Sequence, residues 1–76
     1  MNYVVIKIHN NKISRIINAK DEENGLDILR RLVSNQLGRA LTSEEINHID
    51  TYQDFDNEEM NDHDNVYYLS IEVVEN

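Results

Sequence analysis

Asp54, Asp56 and Glu58 alternate along the chain, the spacing of the first three oxygen ligands in a calcium-binding loop. The match ends there. Such a loop needs Gly at its sixth position for a sharp turn and a bidentate Glu at its twelfth, and Glu59 and Asn65 occupy those places. His9, His48 and His63 are the other candidate ligands, and Asp62-His63-Asp64 is the densest cluster. None has a second His two or four residues away, the spacing that brings two imidazoles to one metal on a strand or helix. The expectation is no metal and no cofactor.

Nucleophilic and phosphate-binding chemistry have still less to work with. The chain has no Cys, and Ser34, Thr42 and Ser43 have ordinary structural roles open to them. Gly25 and Gly38 are the only glycines, too few for a phosphate-cradling loop. Paired carboxylates do acid–base work only in a cleft that shifts their pKa values, and a chain this short has little room for one. No catalytic residue is assigned, and the protein is not expected to be an enzyme.

What the acids can do is bind. The net charge is −8 over 76 residues, and it is unevenly spread. Residues 1–20 hold Lys7, Lys12, Arg15 and Lys20 and no acid, whereas residues 41–76 hold eleven acids and neither Lys nor Arg. Asp50, Asp54, Asp56, Glu58, Glu59, Asp62 and Asp64 crowd into one stretch with no base among them, and Glu44 and Glu45 lie just before it. These nine are the candidate partner-binding residues. Alternate residues of an extended chain lie about 6.5–7 Å apart, close to twice the roughly 3.4 Å per phosphate along one DNA strand. Such a row suits a basic protein surface, including a groove built for a nucleic-acid backbone. The competing reading is a merely solvated acidic loop. Tyr52, Phe55 and Met60 are interleaved with the acids, either to dock the row or to pack it on a core.

The basic N-terminal segment, with Lys7, Lys12, Lys20 and Tyr3, is better read as a soluble β edge than as a nucleic-acid site. The excess negative charge opposes direct binding to nucleic acid or to an anionic membrane.

Seventy-six residues form one domain, residues 1–76, with a marginal core. Without Cys there is no disulfide framework. No run approaches the roughly 18 apolar residues of a membrane span, and Met1–Lys7 does not read as a signal peptide. A cytosolic protein is expected. The abundance of Asn and Ile suggests an AT-rich genome, such as that of a low-GC bacterium or its phage.

The elements that would carry these residues follow from local pattern. Residues 3–9 are β-branched and aromatic and read as a strand. Asn10-Asn11 suits a two-residue hairpin turn pairing His9 with Lys12 and Ile8 with Ile13. Lys12–Asn18 is the return strand, which places Val4, Ile6, Ile8, Ile13 and Ile17 on one face, with Arg15 awkwardly among them. The other face would then expose Tyr3, Lys7, Lys12 and Ile16. A longer loop would bring Ile16 to the first face instead.

A helix follows, capped by Asp21 or Asn24. It has a stripe of Leu26, Leu29, Leu32, Val33 and Leu37, and Gly38 ends it. Leu41-Thr42-Ser43-Glu44-Glu45-Ile46 spells a capping box from Thr42 to Glu45, with Leu41 and Ile46 as a hydrophobic staple. That helix should bury Ile46, Ile49 and either Tyr52 or Gln53. Residues 54–65 read as an acidic loop. From Val66 to Glu75 the chain alternates as a third strand, with Tyr67, Leu69, Ile71 and Val73 on one face. The expectation is an α+β fold, a three-stranded antiparallel sheet with two short helices on one face, in the order β-β-α-α-β.

In size, acidity and this element order the chain resembles small phage-encoded inhibitors of the anti-CRISPR, DNA-mimic type. The resemblance implies a non-enzymatic inhibitor in the host cytosol, its acids set against Lys and Arg in the nucleic-acid groove of a nuclease complex. Two alternatives stay open. One is an antitoxin or immunity protein that neutralises a basic toxin. The other is a small structural or regulatory protein that forms a homodimer through a β edge.

Overall fold

The computed structural model describes residues 3–57 and 62–71, with the backbone alone for 57, 62–64 and 71. Strands β1 (Tyr3–His9) and β2 (Lys12–Ala19) form a hairpin. Helices α1 (Glu22–Leu37) and α2 (Ser43–Tyr52) follow, then strands β3 (Asp54–Asn57) and β4 (Asp62–Ile71). The sheet is four-stranded and antiparallel, in the order β2-β1-β4-β3. The fold is thus α+β with one strand more than the sequence pattern suggested. The segment read as an acidic loop contributes β3 and the start of β4.

At the hairpin turn Asn10 and Asn11 have φ of 51° and 62°, the left-handed pair that a two-residue turn needs and that Asn tolerates. His9 faces Lys12 and Ile8 faces Ile13 as expected, but the register then shifts, so that Lys7 faces Arg15 and Ile6 faces Ile16. Ser14 is the extra residue of a β-bulge. One inserted residue reverses the side-chain parity beyond it. Arg15 therefore leaves the apolar face, Ile16 joins it, and Ile17 crosses to stand opposite Val5.

Although Val4, on the face expected to be inside, is also buried, the main core forms on the face that the hairpin pattern had left exposed. Val5, Phe55, Tyr67 and Leu69 pack there against Leu29 and Val33 of α1 and Ile49 of α2. Tyr3 and Ile17 are partly buried against this cluster. Lys7 lies with its Nζ 5.8 Å from the centre of the Tyr67 ring. The alternation of Tyr67 and Leu69 was correctly placed; Val73 lies outside the described residues.

Both helices are positioned by their ends. Asp21 caps α1, its Oδ1 accepting from the Asn24 N–H at 2.7 Å. Gly38, at φ 71°, closes the helix by donating its N–H to Ser34 O at 2.9 Å, a left-handed position where a Cβ would be strained. In α2, Thr42 Oγ1 accepts from the Glu45 N–H at 3.2 Å and Glu45 Oε1 accepts from the Thr42 N–H at 2.8 Å, the reciprocal capping box. Only Ile49 of this helix is fully buried; Ile46 and Tyr52 are exposed. The chain leaves α2 through Gln53, at φ 59°. Gln53 O accepts from the Leu69 N–H at 2.8 Å. That turn drives the chain straight into β3, so α2 ends at Tyr52, with no further turn beyond Ile49 to bury another residue.

Candidate protein-binding site

β3 lies at the edge of the sheet and α2 packs beside it. Between them runs an open groove of about 710 Å³. Thr42, Glu44, Glu45 and His48 of the α2 segment form one wall, and Asp54, Phe55 and Asp56 of β3 form the other. Val66 and Tyr68 of β4 and Arg39 of the loop after α1 complete its lining. The fold therefore brings together four of the nine candidate acids, Glu44, Glu45, Asp54 and Asp56. Two come from the first turn of a helix, where the macrodipole favours negative charge. Two come from alternate positions of a strand, with Phe55 between them anchored in the core.

The four acids are not equivalent. Arg39 Nη1 and Nη2 donate to Glu45 Oε1 and Oε2 at 2.7 and 3.0 Å. This fork, and then the Thr42 N–H, holds the Glu45 carboxyl at a pKa of about 2, well below the usual carboxylate range. Asp54 Oδ1 is 3.4 Å from His48 Nε2. The His48 ring also lies against Tyr52, with centroids 4.9 Å apart, and meets Phe55 edge-on at 6.1 Å. Among the described residues no base pairs with Glu44 or Asp56.

The expectation that the stretch from Asp50 to Asp64 faces no local partner is corrected at two points. Asp50 Oδ1 accepts from Arg30 Nε at 2.9 Å, which ties α2 to α1, and Asp54 faces His48. Just before the stretch, Glu45 is held by Arg39. Both arginines lie far from the acids in sequence or across a turn, so the charge count of residues 41–76 could not reveal them. Glu58, Glu59 and Met60 lie outside the described residues, and Asp62 and Asp64 are backbone members of β4.

Both described histidine side chains are exposed, His9 beside the hairpin turn and His48 on the surface of α2. His48 is a wall of the groove, and His9 Nδ1 lies 2.9 Å from Oδ1 of the buried Asn65. The position of His48 was within reach of sequence reasoning. It lies three residues after Glu45 and one turn before Tyr52, on the α2 face that the capping box orients.

Comparison of the chain with protein-family models, curated proteins and solved structures finds no match. Function is therefore read from the groove itself. Among the described residues no group of three His, Asp or Glu is placed to hold a metal ion. No described helix is long and apolar enough to cross a membrane.

Proposed function

We propose that this is a small, non-enzymatic inhibitory protein that presents the α2–β3 groove to a basic protein surface. The observation that carries this reading is the convergence of Glu44, Asp54 and Asp56 on one concave surface while the nearby arginines are already engaged with Glu45 and Asp50 and His48 alone faces Asp54. Like charges held together repel in the free protein, and a partner's Arg or Lys relieves that repulsion and adds charge-assisted hydrogen bonds. The surface suits a target whose own groove binds a nucleic-acid backbone, as for an anti-CRISPR-type inhibitor acting in the host cytosol. An antitoxin or immunity protein facing a basic toxin would use the same chemistry.

Homodimerisation through a sheet edge has less support. β2 carries a bulge and Lys12 and Arg15, and β3 is only four residues long, all features that discourage edge-to-edge pairing.

The test is capture from the basic, cation-exchange-retained fraction of a bacterial lysate. The immobilised protein should retain a defined protein that salt elutes. A variant carrying Glu44→Gln, Asp54→Asn and Asp56→Asn should lose it. Retention of the same protein in equal amount by the variant would remove the groove from the account.

A further inference from the structure

The helices cover one face of the sheet and leave the other to be explained. Across that second face the ladder aligns Ile16, Ile6, Tyr68 and Asp54 in one row. The next row is Ile13, Ile8, Val66 and Asp56. Each row is apolar over three strands and ends on a carboxylate at β3. Ile13 is 62% exposed, Ile16 58% and Tyr68 38%. The half-buried Ile6, Ile8 and Val66 lie between and beside them, while Val4 on the same face is buried. The block is therefore apolar and open to solvent chiefly along β2 and at Tyr68. Contiguous exposed apolar surface of this kind marks an interaction site more often than chance placement. Val66 and Tyr68 belong both to this block and to the acidic groove. The two surfaces therefore join around β3.

The geometry points to one occupant, a basic amphipathic helix of the partner protein laid along the strands over β1. The inference rests on the acidic-surface reading above and names the shape of the basic element. Three strands about 4.8 Å apart present a trough matched to a helix about 10 Å across. The flank of that helix toward β3 would carry Lys or Arg. Bases at positions i and i+4 are about 6 Å apart along a helix. Asp54 and Asp56, alternate on a strand, are spaced about 6.5–7 Å. Among the described residues the face carries no Lys or Arg of its own: Lys7 and Arg15 stand opposite each other on the helix-covered side.

A second copy of this chain fits poorly. A two-fold axis between two such faces, running along the strands, would stack Asp54 and Asp56 on Ile16 and Ile13 and bury carboxylates without partners. An axis across the strands would stack β3 on β3, acid against acid. The charge of −8 on each copy adds to the repulsion.

The probe is a synthetic helical peptide of about 15 residues with Leu at every third and fourth position and Lys elsewhere, titrated into the full chain and followed by NMR. Shifts should centre on Ile6, Ile8, Ile16 and Tyr68. The double variant Ile13→Ser, Ile16→Ser should bind at least about tenfold more weakly, and its amide spectrum should show the parent fold because both sites are solvent-exposed. Asp54→Asn with Asp56→Asn should weaken binding several-fold and flatten its salt dependence. Equal binding of a scrambled peptide of the same composition overturns the inference. So does a parent dimer, seen by sedimentation, that the Ile13→Ser, Ile16→Ser variant disperses. If an all-Lys peptide binds as tightly, and depends on Glu44, Asp54 and Asp56, the acidic-surface reading survives and this inference fails. Equal binding of a version with Glu in place of Lys overturns both.

Discussion

Arg39 and Glu45 form a two-pronged pair in which the same carboxylate also accepts the Thr42 N–H that opens α2. One side chain thus links the loop after α1 to the cap of α2 and fixes the wall of the groove. Glu45 is a structural acid, whereas Glu44 and Asp56 have no base paired to them among the described residues.

This pairing has a pH consequence. The folded Glu45 carboxyl sits at about 2, below the roughly 4.3 of an unperturbed Glu. A depressed carboxylate pKa contributes stability above the unfolded value, and that contribution is lost as pH falls through the folded one. Urea midpoints of the parent and of Glu45→Gln should therefore differ at neutral pH and converge between about pH 4 and pH 2. A difference that stays constant over that window would show that the fork does not set the Glu45 titration. Part of the gain is screened because Arg39 is solvent-exposed.

Gly25 allows α1 to approach the sheet. A Cβ added there would lie 2.4 Å from Leu69 Cδ1, and Leu69 is itself core. Gly25→Val should destabilise the domain by about 1–3 kcal/mol through overpacking, despite the better helix propensity of Val. Pairing it with Leu69→Ala should recover part of the loss. Equal destabilisation with and without Leu69→Ala would place the strain elsewhere.

Ile46 and Ile49 separate the observed packing of α2 from the pattern that had both inside. Ile49→Ala should cost about 2–5 kcal/mol, as expected for a fully buried aliphatic side chain. Ile46→Ala should stay within about 1 kcal/mol. Thermal or urea unfolding of the two variants decides between them, and similar losses would restore Ile46 to the core.

Much of the fold is local and was legible. Asn10-Asn11 at left-handed φ, Thr42 with Glu45, Gly38, and the alternation of Tyr67 and Leu69 all act through neighbours within a few residues. What escaped was non-local. The bulge at Ser14 moves Arg15 off the apolar face. The misfit of Arg15 marked a register change, but nothing in the flanking residues separates a bulge in the strand from a longer turn. β3 reads Asp-Phe-Asp-Asn, poor in strand formers, and exists through its pairing with β4 and the anchoring of Phe55. The acids were visible in the sequence as a charge run. Their division into Glu45 and Asp50, held by Arg39 and Arg30, and Glu44 and Asp56, with no base paired to them among the described residues, appears only once the helices are packed.

The central claim is that the groove acids act on a basic partner through charge. The measurement that tests it most directly is the rate of association with the captured partner as ionic strength is varied, for three proteins. These are the parent, the variant Glu44→Gln, Asp54→Asn, Asp56→Asn, and a control variant Glu23→Gln, Asp27→Asn that removes two negative charges from α1. Exposed charges are screened beyond about 8–10 Å near physiological salt, so association of the parent should slow as salt rises. The groove variant should associate slowly, with little salt dependence, and the control should stay close to the parent. Equal rates and equal salt dependence for the groove variant and the parent would contradict the account.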